Sequence, residues 1–402
     1  MRFRIALTLA AAIVTTGATA ADFKVMVAID PSDRESMVIS QYEIQRALAK
    51  VIGAPVVVFK SQDLGDVMRS TRTGEYDIYI APAHVAASAL GHKYTLIGST
   101  EADDIYELVS RPAAKSPIDL KGGKLYLTQQ DSVAAYMARG MLNESGQSLK
   151  MFQQVFYRNT SGAGLFAIDA GLVDATVAKR PDVQAWVQTK NSKVAVMLSS
   201  RPVPGGMSVV VENDLPEATR KKLESWFLSP AGALAGIGRI THHSNPANYK
   251  YVASLGNWTP SLLPGVTVVT ASEVVALRDK GVAIVDVRIG KEYHERHIRG
   301  AVLIPYGEKS LKDVAFDPAM DEFSGVEKLD PLQPVIFHCN GPECWKSYKA
   351  AKVAQAKGFK NVYWFRGGFP EWERNGLPVE SSAAAATNAP VPAAPVTAAA
   401  KS

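Results

Sequence analysis

The chain has 402 residues, of which 47% are hydrophobic and 21% are charged, and its formal net charge is +5. That length exceeds one ordinary core and predicts two domains, while the composition excludes a wholly disordered chain and a multispanning membrane protein. The small net charge, with no dense run of Lys and Arg after the first few residues, argues against nucleic-acid binding.

The first 20 residues have the features of an export signal. Arg2 and Arg4 precede an apolar stretch that ends in small residues, which predicts cleavage before Ala21. An uncleaved anchor is the alternative, but the apolar run is shorter than the roughly 20 residues that span a bilayer. We therefore expect the mature protein in the periplasm.

Residues 22–243 alternate between strand and helix patterns. Strands are predicted in FKVMVAID, PVVVF and IYIA and at 105–111, 124–127 and 206–211. Helices are predicted at 36–51, 63–72, 131–143, 161–171 and 214–228. This alternation is typical of an α/β domain with a mostly parallel sheet.

Three segments of this first domain resemble type II periplasmic solute-binding proteins, above all those that serve phosphate, phosphite and phosphonate transporters. The segments are GEYDIYIAPAHVAASA at 74–89, SPIDLKGGKLYLTQQDSVAAYMARGML at 116–142 and AGLVDATVAKR at 170–180. The resemblance implies two lobes with the ligand between them. It also makes a membrane transporter a candidate partner.

Strand ends and helix amino termini converge between such lobes and can hold an anion. We expect a small sulfur-containing or phosphorus-type anion there, and the candidate ligand contacts are Pro82, His84, Ser132, Thr160 and Ser161. The alternative for the three hydroxyls is that they only cap their helices.

The rest of the chain contains a connector, a second α/β domain and a tail. Residues 244–267 are rich in Asn, Pro, Tyr and Gly without a sustained period, which predicts an inter-domain linker. The strand and helix alternation restarts in 268–380, with a helix at 271–279 and a strand at 283–288. Residues 381–402 are mostly Ala, Pro and Thr and are predicted to be disordered.

Three pieces of the second domain, taken in order, resemble the rhodanese family. They are VDVRIGKEYHERHIRGAVLIPY at 285–306, VIFHCNGPECWKSYKAA at 335–351 and GGFPEWERNGLPV at 367–379. In rhodaneses a strand-end cysteine accepts a sulfane sulfur from a donor such as thiosulfate and passes it to a thiol or cyanide. The position of Cys339 matches that cysteine, so a thiol acceptor or reductant is an expected partner.

Physical chemistry supports the same residue. Cys339 follows a predicted strand and precedes a helix, where backbone N–H groups without partners favour an anion. Nearby Lys346 and Lys349 are expected to lower its thiol pKa further. The candidate catalytic residues are Cys339, Cys344, Lys346 and Ser347.

The loop differs from the family pattern in its length and its cation. A basic residue usually follows the cysteine by five positions, whereas Lys346 follows Cys339 by seven. A larger loop admits a bulkier donor or acceptor. Lysine lacks the flat fork with which arginine clamps an oxyanion, so phosphatase activity is disfavoured.

Cys344 has three interpretations. It can be a resolving thiol that attacks a persulfide or sulfenic acid on Cys339, the sulfur carrier itself, or part of a structural disulfide or packed thiol. Supporting positions have structural interpretations: an ion pair of Asp286 with Arg288, packing of His297, and Trp372 shaping a loop on the rim.

No cofactor and no metal are predicted. A site built from His294, His297, His338 and the two cysteines matches no zinc spacing. The leading hypothesis is a periplasmic sulfurtransferase with an anion-binding domain. The alternatives are a transport or sensing receptor with a silent rhodanese module, and a thiol-disulfide redox protein.

Overall fold

The computed structural model describes residues 22–30, 40–158, 162–234 and 237–382. The predicted export signal, Thr160, Ser161 and nearly all of the predicted tail lie outside the described residues. Within the described ranges, no helix is long and apolar enough to cross a membrane.

The first lobe is built on a five-stranded sheet in the order β2-β1-β3-β10-β4. Its strands are β1 (Phe23–Ala28), β2 (Val56–Ser61), β3 (Ile78–Ala81), β4 (Tyr94–Asp104) and β10 (Val203–Glu212). Strands β1 to β3 are parallel, but β10 runs antiparallel to both of its neighbours. The sheet is therefore mixed, and not mostly parallel as the alternation predicted, because β10 is reached only after the chain has passed through the second lobe.

The second lobe has its own five-stranded sheet in the order β7-β6-β8-β5-β9. Its strands are β5 (Tyr106–Ser110), β6 (Lys124–Leu127), β7 (Gln154–Tyr157), β8 (Ala175–Lys179) and β9 (Ala195–Ser199). The chain passes between the lobes twice, from β4 to β5 and from β9 to β10. Two such crossings are what a cleft between two lobes requires.

Helices cover both sheets. They are α1 (Gln41–Ile52), α2 (Leu64–Thr73), α3 (Ala83–Leu90), α4 (Val133–Glu144), α5 (Ala163–Asp169), α6 (Arg180–Lys190) and α7 (Glu217–Leu228). Helix α1 shows the local signals that set its ends: the Ser40 side chain accepts a hydrogen bond from the N–H of Glu43, and Gly53 ends the helix with a φ of 78°. Its buried residues, Ile44 and Leu48, are four positions apart and share one face.

Part of the predicted linker is a helix of the first lobe. Helix α8 (Pro246–Ser254) buries Tyr249 and Val252 in the apolar core that α3 and α4 share. The Tyr249 hydroxyl lies 2.8 Å from the Ser208 hydroxyl on β10. The helix was missed because nine residues starting with Pro present too few apolar positions for a clear period.

The carboxy-terminal domain has a parallel sheet in the order β11-β16-β15-β12-β14. Its strands are β11 (Thr267–Val268), β12 (Ala283–Asp286), β14 (Val302–Leu303), β15 (Val335–His338) and β16 (Val362–Phe365), and β13 (His297–Ile298) pairs separately with β17 (Val379–Glu380). The helices are α9 (Ala271–Arg278), α10 (Gly290–Glu295), α11 (Trp345–Ala356) and α12 (Gly368–Arg374). Alternate residues of β15 enter two different apolar clusters, so both faces of this sheet are covered.

Gly368 allows α12 to pack directly on the cysteine-bearing loop. Its φ is +58°, and a Cβ atom there would lie 2.1 Å from the carbonyl oxygen of Cys339. The N–H of Phe369 donates to that same carbonyl at 2.8 Å. No side chain fits between the two segments.

We predict that Gly368→Ala lowers the free energy of unfolding by at least about 3 kcal/mol, the sum of left-handed strain and overpacking. The matched control is Gly376→Ala, where φ is +63° but no atom lies within 4 Å of the added Cβ. The control variant has the left-handed strain without the overpacking, and it should lower the free energy of unfolding by about 1 kcal/mol. Urea unfolding of both variants measures the difference, and equal losses would contradict the packing argument.

Candidate active site

The loop between β15 and α11 carries both cysteines. Cys339 directly follows the last residue of β15, as the sequence predicted. Helix α11 begins at Trp345, and Cys344 is its N-cap residue. The N–H of Cys344 donates to the carbonyl of Gly341 at 3.0 Å and closes the loop. The backbone N–H of Ser347, in the first turn of α11, acts on the sulfur of Cys339, whereas the sulfur of Cys344 receives the N–H of Asn340 from the loop.

Cys339 is completely buried below the loop. Its Sγ lies 3.2 Å from the carbonyl oxygen of Cys344 and 3.1 Å from the hydroxyl of Ser347. Burial raises the pKa of the Cys339 thiol well above its usual value, and the neighbouring Cys344 raises it further. At neutral pH Cys339 is a thiol that donates a hydrogen bond.

Cys344 is 8% exposed and faces a cavity. Burial by itself would raise the pKa of the Cys344 thiol. The hydrogen bond from Cys339, the cations of Lys346 and Arg72 and the backbone N–H of Asn340 outweigh burial and lower the pKa to about 7. Cys344 is therefore substantially a thiolate at neutral pH.

The cavity lies between the carboxy-terminal domain and the lobes and has a volume of about 350 Å³. Residues from α2, from the segment before α4 and from two loops of the carboxy-terminal domain line it. They are Asp63, Gly65, Asp66, Arg69, Arg72, Gln129, Gln130, Asp131, Arg288, Glu292, Glu308, Lys309, Ser310, Leu311, Lys312, Asn340, Glu343, Cys344, Trp345 and Lys346. The volume falls within the usual range of small-molecule sites, which starts at about 300 Å³.

Four ion pairs among the described residues join the two parts of the chain, and the first three named below line this cavity. They are Arg69 with Glu292 at 3.1 Å, Arg72 with Glu343 at 2.8 Å, Lys312 with Asp131 at 2.6 Å and Lys291 with Glu75 at 2.5 Å. The segment after α8 also holds the loop: Trp345 donates its indole N–H to the carbonyl of Asn257, and the N–H of Thr259 donates to that of Pro342. The sequence offered no signal for these residues, because each pair joins positions far apart in the chain.

The expected ion pair of Asp286 with Arg288 is present and buried. The Nη2 and Nε of Arg288 lie 2.7 and 3.0 Å from the Asp286 carboxylate, and a further N–H donates to the carbonyl of Arg296. His338, at the end of β15, lies next to the pair, with its Nε2 3.7 Å from Asp286. Burial lowers the pKa of His338 to about 4, so the imidazole is neutral.

The structure also places three further predicted residues, His297, Trp372 and Lys349. His297 stacks on Tyr293 with ring centroids 3.8 Å apart. Trp372 belongs to α12 and is fully buried in the core. The expectation that Trp372 shapes a loop on the rim is therefore wrong. Lys349 is also buried and pairs with Glu308 at 2.7 Å. Its ammonium also lies 2.9 Å from the hydroxyl of Ser310. The prediction that Lys349 acts on the thiols is therefore wrong.

Of the predicted ligand residues that the structure describes in the lobes, Ser132 caps a helix, while both ring nitrogens of His84 are buried without a hydrogen-bond partner among the described residues. The Ser132 hydroxyl accepts from the N–H of Ala135 and donates to the carbonyl of Gln129, which is the capping arrangement. His84 is buried against Tyr136, and burial lowers its pKa to about 4. Pro82 lines the small space between the lobes.

That inter-lobe space has a volume of about 20 Å³, room for about one water molecule. The carboxylate of Asp30, at the end of the first strand, accepts a hydrogen bond from the N–H of Val133 at 3.2 Å. Asp104 and Lys179 line the space and form an ion pair at 2.9 Å. A carboxylate therefore occupies the position at the amino terminus of α4 where an anion was expected. Among the described residues there is no group of three or more side chains arranged to hold a metal ion.

Comparison with known families agrees with the two parts of the fold. Residues 27–238 match the family described as ABC transporter, phosphonate, periplasmic substrate-binding protein, and residues 270–375 match the rhodanese-like domain. The chain belongs to the phosphonate-type periplasmic substrate-binding family and carries a rhodanese-like domain at its carboxy terminus. The resemblances that the sequence motifs indicated are confirmed.

Among curated proteins, the chain is similar to the thiosulfate sulfurtransferase GlpE of Actinobacillus pleuropneumoniae, with 30% identity over 26% of this chain and 84% of that protein. It is also 30% identical to arsenate reductase 2.2 of Oryza sativa subsp. japonica, over 29% of this chain and 88% of that protein. A third similarity, to the HTH-type transcriptional regulator Rv0324 of Mycobacterium tuberculosis, spans only 45% of that regulator.

Among solved structures, PhnD1 from Prochlorococcus marinus in complex with methylphosphonate is similar over 58% of this chain and 96% of its own, with 15% identity and a TM-score of 0.46. The similarity to GlpE is confined to the rhodanese-like domain.

We predict that iodoacetamide alkylates Cys344 and leaves Cys339 unmodified in the folded protein. The rate should be half-maximal near pH 7 and fall about tenfold per pH unit below it, because the thiolate is the nucleophile. Tandem mass spectrometry of the peptide that contains both cysteines locates the modification. Cys344→Ser should abolish rapid labelling and Cys339→Ser should retain it. Rapid labelling at Cys339 would contradict the assignment.

Proposed function

We propose that the rhodanese-like domain is a sulfurtransferase in which Cys344 carries the persulfide and Cys339 is the second thiol. The observation that carries this proposal is the position of Cys344. It is the N-cap residue of α11, it faces the inter-domain cavity, and its pKa is lowered to about 7. A thiolate that is both stabilised and accessible is what attack on a sulfur donor needs.

In the first step the Cys344 thiolate attacks the sulfane sulfur of a donor such as thiosulfate. A new S–S bond forms to Cys344, the S–S bond of the donor breaks, and its electron pair leaves with sulfite. The products are a persulfide anion on Cys344 and a sulfite dianion, so charge balances. The cations of Lys346 and Arg72 and the N–H of Asn340 stabilise the persulfide anion as they do the thiolate.

The persulfide then has two routes. An external thiolate can take the outer sulfur, which regenerates the Cys344 thiolate and leaves a persulfide on the acceptor. Alternatively Cys339 attacks the inner sulfur, a disulfide forms between the cysteines, and the outer sulfur leaves with the Cys339 proton as hydrosulfide. The second route needs a thiol reductant for the next cycle.

The assignment differs from the expectation that Cys339 forms the persulfide. Cys339 has no exposed surface and its pKa is raised, so a donor cannot reach it unless the loop opens. Its position beside Cys344, with its thiol donating to the carbonyl oxygen of that residue, supports a resolving role. Persulfide formation on Cys339 stays a prediction that the experiment below can distinguish.

The second candidate function is that of a transport receptor, as the name of the family matching residues 27–238 suggests. PhnD1 is described with methylphosphonate, and a small anion is accordingly a candidate ligand. The geometry supports this less than sulfur transfer, because Asp30 already accepts the α4 N–H and the space between the lobes is small. Export to the periplasm, also a proposal, fits either function.

We predict thiosulfate-dependent sulfur transfer to a thiol after the protein has been reduced. Cys344→Ser should lower the rate by on the order of a thousandfold or more, because it removes the nucleophile. Cys339→Ser should retain transfer to an external thiol and should accumulate a persulfide on Cys344, which intact-mass spectrometry detects as one added sulfur atom.

Two results would contradict this assignment. If Cys339→Ser abolished transfer and Cys344→Ser retained it, the persulfide would belong on Cys339. If the wild type and both variants gave equal rates with several donors and acceptors, the domain would not be a sulfurtransferase.

A further inference from the structure

The rhodanese-like loop lacks an arginine, but an arginine from the other domain reaches it. The loop itself contributes Lys346, and the Nζ of that residue makes no hydrogen bond or ion pair with the described residues. Arg72, near the end of α2 in the first lobe, pairs through its Nη1 with Glu343 of the loop at 2.8 Å. A residue of the solute-binding lobes therefore lies directly beside the thiols.

Arg72 is positioned to act on a ligand as well as on Glu343. Its side chain is only 8% exposed and lines the cavity that Cys344 faces. The Nε of Arg72 is buried and has no hydrogen-bond partner among the described residues. A buried guanidinium with an unused donor beside a cavity is a ready partner for an oxyanion.

Two cations, Lys346 and Arg72, act at the Cys344 end of the cavity. The carboxylates that line the cavity all have partners. Asp63 accepts the N–H of Asp66, Asp66 pairs with Arg69, Asp131 with Lys312, Glu292 with Arg69, Glu308 with Lys349 and Glu343 with Arg72. The ammonium of Lys346 forms no ion pair with a carboxylate among the described residues and acts on Cys344. Of the two cations near the thiol, Arg72 is the one whose fork can bind an oxyanion.

The geometry points to one active site formed by both domains, in which Arg72 binds the sulfonate end of a thiosulfonate-type donor beside Cys344. The donor class comprises small anions with a sulfane sulfur bonded to an SO₂ or SO₃ group, of which thiosulfate is the simplest. This inference rests on the proposed sulfurtransferase function. It assigns to the solute-binding lobes a part in binding the donor, outside the space between the lobes.

In this arrangement Arg72 and Cys344 act on opposite ends of the donor. The guanidinium binds the sulfonate oxygens, where the electron pair arrives when sulfite leaves. The thiolate attacks the sulfane sulfur at the other end. Arginine suits this role because its planar fork can hold two oxygens at once, which the ammonium of Lys346 cannot do.

Binding is best measured in the full-length Cys344→Ser protein, which can hold thiosulfate without reacting. Calorimetric titration with thiosulfate should show binding in this background. Adding Arg72→Ala should weaken it at least about tenfold, since a charge-assisted, buried contact is lost, and Arg72→Lys should restore only part of the affinity. The matched control is Lys291→Ala, which removes another inter-domain ion pair, with Glu75, away from the cavity. It should leave the affinity within about twofold of the background.

A second measurement uses the reactive protein. In single variants with Cys344 intact, Arg72→Ala should raise the pH midpoint of Cys344 alkylation, and Lys291→Ala should leave it unchanged. A purely structural role of Arg72 in docking the domains would make the two variants behave alike.

The outcomes separate this inference from the proposed function. Equal thiosulfate affinity with and without Arg72, or equal losses in the Arg72 and Lys291 variants, would overturn the shared site even if the wild type transfers sulfur. Thiosulfate binding that depends on Arg72, without turnover in the wild type, would support the shared site and overturn the sulfurtransferase function. No binding at all would overturn the shared site.

Discussion

The start of α11 at Trp345 is the constraint on which the site depends. Because the helix begins there, Cys344 becomes its N-cap residue at the edge of the cavity, where Lys346, Arg72 and the N–H of Asn340 act at its sulfur. Cys339, five residues earlier, is left beneath the loop as a buried donor. The same loop thus holds two thiols with opposite pKa shifts, one lowered to about 7 and one raised. Such a difference separates a nucleophile from a resolving thiol.

Two buried contacts support the loop, the ion pair of Asp286 with Arg288 and the packing of α12 at Gly368. The Asp286 and Arg288 pair is almost fully buried, and the Arg288 guanidinium also lies 4.1 Å from the ring centroid of Phe369. Breaking such a pair by removing one partner typically costs about 3–5 kcal/mol, because the other charge is left buried. Gly368 lets α12 approach the loop on another side. These contacts act on the scaffold under the thiols, and none of them needs the lobes.

The lobes contact the site through ion pairs with the carboxy-terminal domain. The four ion pairs between the domains vary in exposure: Glu292 is 4% and Arg72 is 8% exposed, whereas Lys291 is 49% exposed. Exposed pairs contribute little to stability, so the buried pairs around the cavity carry most of the electrostatic coupling between the domains. The lobes have the fold of their family, but the carboxylate of Asp30 accepts the N–H of Val133 at the amino terminus of α4. The cavity of about 350 Å³ thus lies at the boundary between the domains, whereas the space between the lobes is about 20 Å³.

The sequence by itself determined the two family folds, the strand that ends at His338, the buried pair of Asp286 with Arg288, and the two thiols as the chemical centre. Those features are local, because hydrophobic period, capping residues and motif spacing lie within short segments. Only the tertiary structure decided which thiol faces open space, that Trp372 and Lys349 are buried, and that β10 makes the first sheet mixed. It alone brought Arg72 to Glu343, since these residues lie 271 positions apart and no local pattern encodes their contact. Side-chain exposure and charge pairing across domains depend on packing, and packing is set by the whole chain.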